Sequence, residues 1–96
     1  MKIIETFPGY CDPTVYGVVV AFEFEKVGYS AYVDFTKDEP DGKIHHFTYE
    51  YDDMQVKDEQ ELAHLTSLCG DEVREAAAPM YRGALHYRDG NNGQVN

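Results

Sequence analysis

Four histidines and two cysteines are the side chains best suited to hold a metal or to act as nucleophile and base. They are His45, His46, His64, His86, Cys11 and Cys69. Their spacing argues against both roles. No pair stands at the helical i, i+4 interval or at a hairpin ligand spacing. His45 and His46 are consecutive, and on a regular strand they point to opposite faces and do not simply share one ion. His46 beside Glu50 or Asp34 is an allowed acid–base pair, with Tyr32 near it, but the combination has little specificity. Glu50, Asp52 and Asp53 lack the EF-hand pattern that would make them a calcium loop. There is no Ser-His-Asp signature, GxSxG, P-loop or GxGxxG. The cysteines have no CxxC spacing and are expected to be reduced and packed, with a single disulfide left open. The chain therefore reads as a non-enzyme with no metal and no cofactor.

Carboxylates are the stronger signal. The 96 residues contain 18 Asp plus Glu against 8 Lys plus Arg, a formal net charge of −10. Such a charge repels phosphates and anionic membrane surfaces, so neither nucleic acid nor membrane is expected as a direct partner. The excess is regional. Residues 34–61 hold ten acids and three lysines, net −7, whereas residues 1–33 carry −2 and residues 62–96 carry −1. Individual acids have ordinary explanations. Asp38 to Asp41 is a turn, where Asp bonds its own backbone, and Asp58, Glu59 and Glu61 suit a helix start. Ten acids in 28 residues still repel one another, a cost to a small domain that invites a functional reading.

The elements that must position these acids follow from pattern. Residues 14–25 are rich in β-branched and aromatic side chains. Val18, Val20, Phe22 and Phe24 share one face, with Glu23 and Glu25 on the other. Val27-Gly28 supplies a turn, and residues 29–35 alternate again. Residues 38–42, Asp-Glu-Pro-Asp-Gly, form a strong turn. Residues 44–51 make the next strand, with His45, Phe47, Tyr49 and Tyr51 on one side and Ile44, His46, Thr48 and Glu50 on the other. A short strand at 1–7, ended by Pro8-Gly9, precedes them. Beyond residue 57 the period lengthens to that of a helix. Asp58 is its N-cap, with Glu61 three residues on. Gly70 is expected to end that helix, Asp71 to cap a second one, and Pro79 to break or kink the second. Residues 85–87 are either a last short strand or a packed tail.

The reading is thus an α+β fold: a three- to four-stranded antiparallel meander with one or two C-terminal helices packed on one face. Val18, Val20, Phe22, Phe24, Val33, Phe35 and Phe47 would meet Leu62, Leu65, Leu68, Val73 and Ala77. Residues 1–88 form one domain, and 89–96 a disordered tail. Met1 to Glu5 lacks a signal peptide's apolar run, and no stretch reaches the ~18 apolar residues of a membrane span, so a cytoplasmic location is expected.

On such a sheet Glu23, Glu25, Asp34 and Glu50 lie on the polar face, and Asp38, Glu39, Asp41, Asp52 and Asp53 extend it. Arrayed carboxylates can imitate backbone phosphates to a basic groove. Tyr32 and Tyr49, and less directly Tyr16 and Tyr51, supply amphipathic anchors. In composition alone the chain is similar to small acidic inhibitors: anti-CRISPR and anti-restriction proteins, other DNA mimics, and immunity proteins that plug nuclease toxins. The expected function is inhibition of a basic nucleic-acid-binding protein or nuclease. The alternative is a self-associating α+β module without mimicry, with Phe22, Phe24, Phe35, Phe47, Tyr29 and Tyr51 shared across a homodimer; monomer and homodimer both stay open.

Overall fold

The structure is a computed structural model that describes residues 1–95, with side chains described through His86. Four strands form one antiparallel sheet in the order β1-β2-β3-β4, with β1 Lys2–Cys11, β2 Tyr16–Phe24, β3 Val27–Phe35 and β4 Lys43–Tyr49. One helix, α1 Glu59–Val95, crosses a single face of it. This is the expected α+β meander, with one helix. The expected tail at 89–96 falls where no side chains are described. Among the described residues no helix is long and apolar enough to cross a membrane.

The core lies between the sheet and α1. Val18, Val20, Phe22, Tyr29, Ala31, Val33, Phe35 and Phe47 meet Leu65, Cys69, Val73 and Ala77 there, all buried. Val56 joins them: the chain after β4 returns along its edge, with the Val56 amide donating to the Phe47 carbonyl at 2.9 Å. Leu62 and Phe24 are half-buried, and Leu68, expected in the core, is 54% exposed. The buried stripe runs through 65, 69, 73 and 77 and does not include position 68.

Several local expectations give way for definable reasons. Gly70 and Asp71 do not divide the helix. The apolar stripe keeps one phase across Gly70, so tertiary burial outweighs a glycine's helix penalty of about 1 kcal/mol. Pro79 lies within α1 on its exposed side, where the Glu75 carbonyl that it leaves without an N–H can face water. Residues 85–87 are helical. Pro8-Gly9 does not end β1, because β1 is an edge strand and tolerates a missing donor. The turn after β2 is Glu25-Lys26, not Val27-Gly28. Phe24 pairs with Val27, and both turn residues have positive φ, 52° and 67°. Gly28 instead leaves room for the Glu50 side chain, which lies directly over it.

The histidine pair provides the most consequential correction. Tyr32 pairs with His46 but Val33 pairs with Ile44, so β4 has an extra residue at His45. This β-bulge reverses the alternation expected for the strand. Ile44 turns inward to the core, and His45 and His46 both border a groove on the face away from α1 and a second one beside Leu62, Thr66 and Arg74 of α1. Cys11 also departs from expectation: both thiols are free, Cys69 is buried, but Cys11 is exposed at the end of β1.

Candidate functional site

The face of the sheet away from α1 is built from the outward residues of all four strands. The register aligns them in rows: Lys2, Glu23 and Gly28; then Glu5, Ala21, Ser30 and Thr48; then Phe7, Val19, Tyr32 and His46. A last row of Gly17, Asp34 and Lys43 closes the face. The acids thus separate towards two ends of the strands.

The first end contains the Glu25-Lys26 turn, the loop after β4 and the start of α1. Glu23 pairs with Gly28, and Glu50 lies over the same glycine. Their backbones are two strand spacings apart, about 10 Å. Asp52 and Asp53 follow in the loop. The Asp52 carboxylate accepts the Met54 amide at 2.9 Å, and Asp53 has φ 58°. Glu23, Glu50, Asp52 and Asp53 are all exposed. Among the described residues the ion pairs are His64–Glu25 and Arg74–Asp71, and neither involves these four acids. In the same loop Tyr51 is 76% exposed, its ring beside Tyr49 with centroids 5.4 Å apart, and Met54 is 57% exposed.

Neighbouring acids have structural duties. Glu25 lies in the turn, and its Oε1 is 3.0 Å from His64 Nε2 on α1, so it does not stand beside Glu23 on the open face. Asp58 caps α1, its carboxylate accepting the Glu61 amide at 2.9 Å. Glu61 does not complete a capping box. Its carboxylate accepts hydrogen bonds from the hydroxyls of Tyr29, at 2.8 Å, and Tyr49. Burial, followed by the bond to Glu61, raises the Tyr29 phenol well above its usual range. The bond to Glu61 pushes Tyr49 up to about 12. Tyr49 is therefore a tie between sheet and helix, on the face opposite Glu23.

The second end contains the β1–β2 and β3–β4 connections. Gly28 and Asp34 are six residues apart on β3, so the two ends lie about 20 Å apart. Asp34 pairs with Lys43 across the ladder. In the β3–β4 loop the Glu39 amide donates to the Thr36 hydroxyl and carbonyl, and the Gly42 amide to the Glu39 carbonyl. Asp38, Glu39 and Asp41 are exposed on this loop. In the β1–β2 loop Asp12 accepts the Thr14 hydroxyl and the Thr14 and Val15 amides, which lowers its carboxyl below the usual range.

The nine expected acids therefore do not form one surface. Glu23, Glu50, Asp52 and Asp53 gather at the first end. Asp34, Asp38, Glu39 and Asp41 gather at the second, and Glu25 turns towards α1. Tyr32 lies between the ends on the open face, stacked on His46 with centroids 4.2 Å apart. Tyr51 and Met54 were the less legible members of the first end, because nothing in the strand pattern says that residues 50–54 form a projecting loop.

Between the ends a groove of about 380 Å³ opens beside Tyr32 and His46, with Gly9 and Gly17 among its lining residues. A side chain at Gly17 would collide with the Tyr10 backbone, so glycine keeps β1 and β2 close there. Burial, and secondarily His45, lowers the His46 pKa. No family model, curated protein or solved structure matches the chain.

Proposed function

We propose that the chain is a binding protein that inhibits a basic nucleic-acid-binding or nuclease protein, and that the first acidic end is its contact surface. The observation that supports this reading is one arrangement. Among the described residues Glu23, Glu50, Asp52 and Asp53 are exposed and outside the ion pairs, and Glu50, Asp52 and Asp53 neighbour the exposed Tyr51 and Met54 along the chain. Separated carboxylates supply the charge that a phosphate-binding groove attracts, and association is driven by ion pairing and counterion release. An exposed Tyr and Met supply the apolar contact that makes such a surface more than a diffuse field, since aromatic residues dominate interface energetics. The second end adds charge and long-range steering.

The test is affinity capture with the tagged full chain from a lysate of its native setting, eluted by a salt step from about 50 to 200 mM. A single basic nucleic-acid-binding protein should be retained, released within that step and displaced by added DNA or RNA. Recovery of the chain alone, or of partners indifferent to salt and to nucleic acid, would overturn the proposal.

A further inference from the structure

The bulge in β4 does something that the acidic surface does not need. Two adjacent histidines on a regular strand face opposite ways, whereas here the extra residue brings both rings to one groove. Their Nδ1 atoms face each other within hydrogen-bonding distance, with ring centroids 4.7 Å apart and planes at 71°. We propose that His45 and His46 form a two-imidazole site for a divalent first-row transition ion, bound through both Nδ1 atoms. This proposal is independent of the acidic contact surface.

Three features make the pair a ligand set and not two neighbouring side chains. First, the orientation of His46 is fixed, because its ring stacks on Tyr32 at an interplanar angle of 11°. An imidazole held in place loses less freedom on binding an ion. Second, His45 is exposed and free to adjust. An ion about 2.0–2.1 Å from each nitrogen needs the two roughly 3 Å apart in a cis arrangement, a spacing that a small rotation of the exposed ring supplies. Third, two neutral imidazoles facing through the same atom type satisfy each other only if one is in the Nδ1–H tautomer. A metal ion satisfies both lone pairs together.

The rest of the groove sets the class of ion. Asp34 lines it and contributes negative charge. Among the described residues no group of three or more His, Cys, Asp and Glu comes together to complete a closed shell. The ion therefore keeps exchangeable positions, filled by water or by a donor from solution, in a groove with room for it. Two imidazoles with open positions suit Cu²⁺, Ni²⁺ and Zn²⁺, and not Mg²⁺ or Ca²⁺, which take oxygen ligands. Affinity should be greatest for Cu²⁺.

The test titrates the chlorides of Cu²⁺, Ni²⁺, Zn²⁺ and Mg²⁺ separately into the full chain by calorimetry, with electron paramagnetic resonance for Cu²⁺. The expected result is one ion per chain, tightest for Cu²⁺ and absent for Mg²⁺, with nitrogen couplings from two imidazoles. His45→Ala and His46→Ala should each weaken binding tenfold or more. His64→Ala and His86→Ala should leave it unchanged. His45 is exposed, so His45→Ala should keep the parent circular dichroism and isolate the ligand effect from folding. Parent affinity retained in His45→Ala, a Cu²⁺ spectrum with oxygen ligands only, or no saturable binding would overturn the site.

Discussion

The two ends of the sheet carry the same kind of residue and use it differently. At the second end Asp12 organises the β1–β2 loop, Asp34 stands across the ladder from Lys43 as Glu23 does from Lys2, and the backbone of residues 36–42 closes on itself. At the first end Asp58, Glu61 and Glu25 are occupied by the helix start, two tyrosines and His64. Among the described residues Glu23, Glu50, Asp52 and Asp53 stay outside the ion pairs at the first end, as Asp34, Asp38, Glu39 and Asp41 do at the second, and the first end also exposes Tyr51 and Met54. The comparison teaches that a net charge of −10 is not one feature. An acid with local work to do is explained by the fold. An exposed acid outside the ion pairs, beside exposed apolar side chains, is a candidate for recognition.

The largest expected effect removes both ends together. Phe47 is buried on the inner face of the edge strand β4, and Phe47→Ala should cost about 3–5 kcal/mol, read from urea denaturation. In a domain this small, that loss is enough to unfold much of the population. Tyr29→Phe should act on the first end alone. It removes a buried hydroxyl's bond to the Glu61 carboxylate and should cost about 1.5–3 kcal/mol. Lys26→Gly should tighten that end by about 1 kcal/mol, because a non-glycine residue at φ 67° is replaced by one that adopts it freely.

Titration should separate the ends without mutation. The Tyr29 and Tyr49 phenols are raised in the folded state, so their contribution is complete below pH 10 and is lost as pH rises through their folded values, about 12 for Tyr49. The first end should therefore loosen in alkali. Asp12 is lowered, so its contribution is present above about pH 3.8 and is lost as pH falls through its folded value. The second end should loosen in acid. Amide exchange resolved by residue across both limbs would check this, and simultaneous loosening of both loops on either limb would remove the distinction.

Alternation and turn residues made β2, β3, their shared inner face and the Asp58 cap legible, because those segments obey local rules. The extent of the helix was not legible. Gly70, Asp71 and Pro79 are local stop signals, and what overrides them is burial of the stripe through Cys69, Val73 and Ala77 against a sheet that the local pattern does not contain. The positions of the acids were half legible. Period-two counting put Glu23 and Asp34 on the correct face. It misplaced Glu25, because the turn begins two residues earlier than Val27-Gly28 suggests. The histidine pair was misread for a similar reason: a bulge adds one residue and inverts the faces beyond it, and nothing in Ile44-His45-His46 announces it.

The central claim is that the first end, not the charge as a whole, makes the contact. The direct measurement compares two triple variants of equal charge change in the same capture experiment: Glu23→Lys with Glu50→Lys and Asp53→Lys, against Asp38→Lys with Glu39→Lys and Asp41→Lys. Both should keep the parent fold, with each substitution costing within about 0.5 kcal/mol except Asp53→Lys, which puts a lysine at φ 58° and should cost about 1 kcal/mol. The first variant should lose the salt-released partner completely, and the second should retain it with a slower on-rate. Equal loss in both would reduce the surface to bulk electrostatics, and full retention in the first would contradict the account.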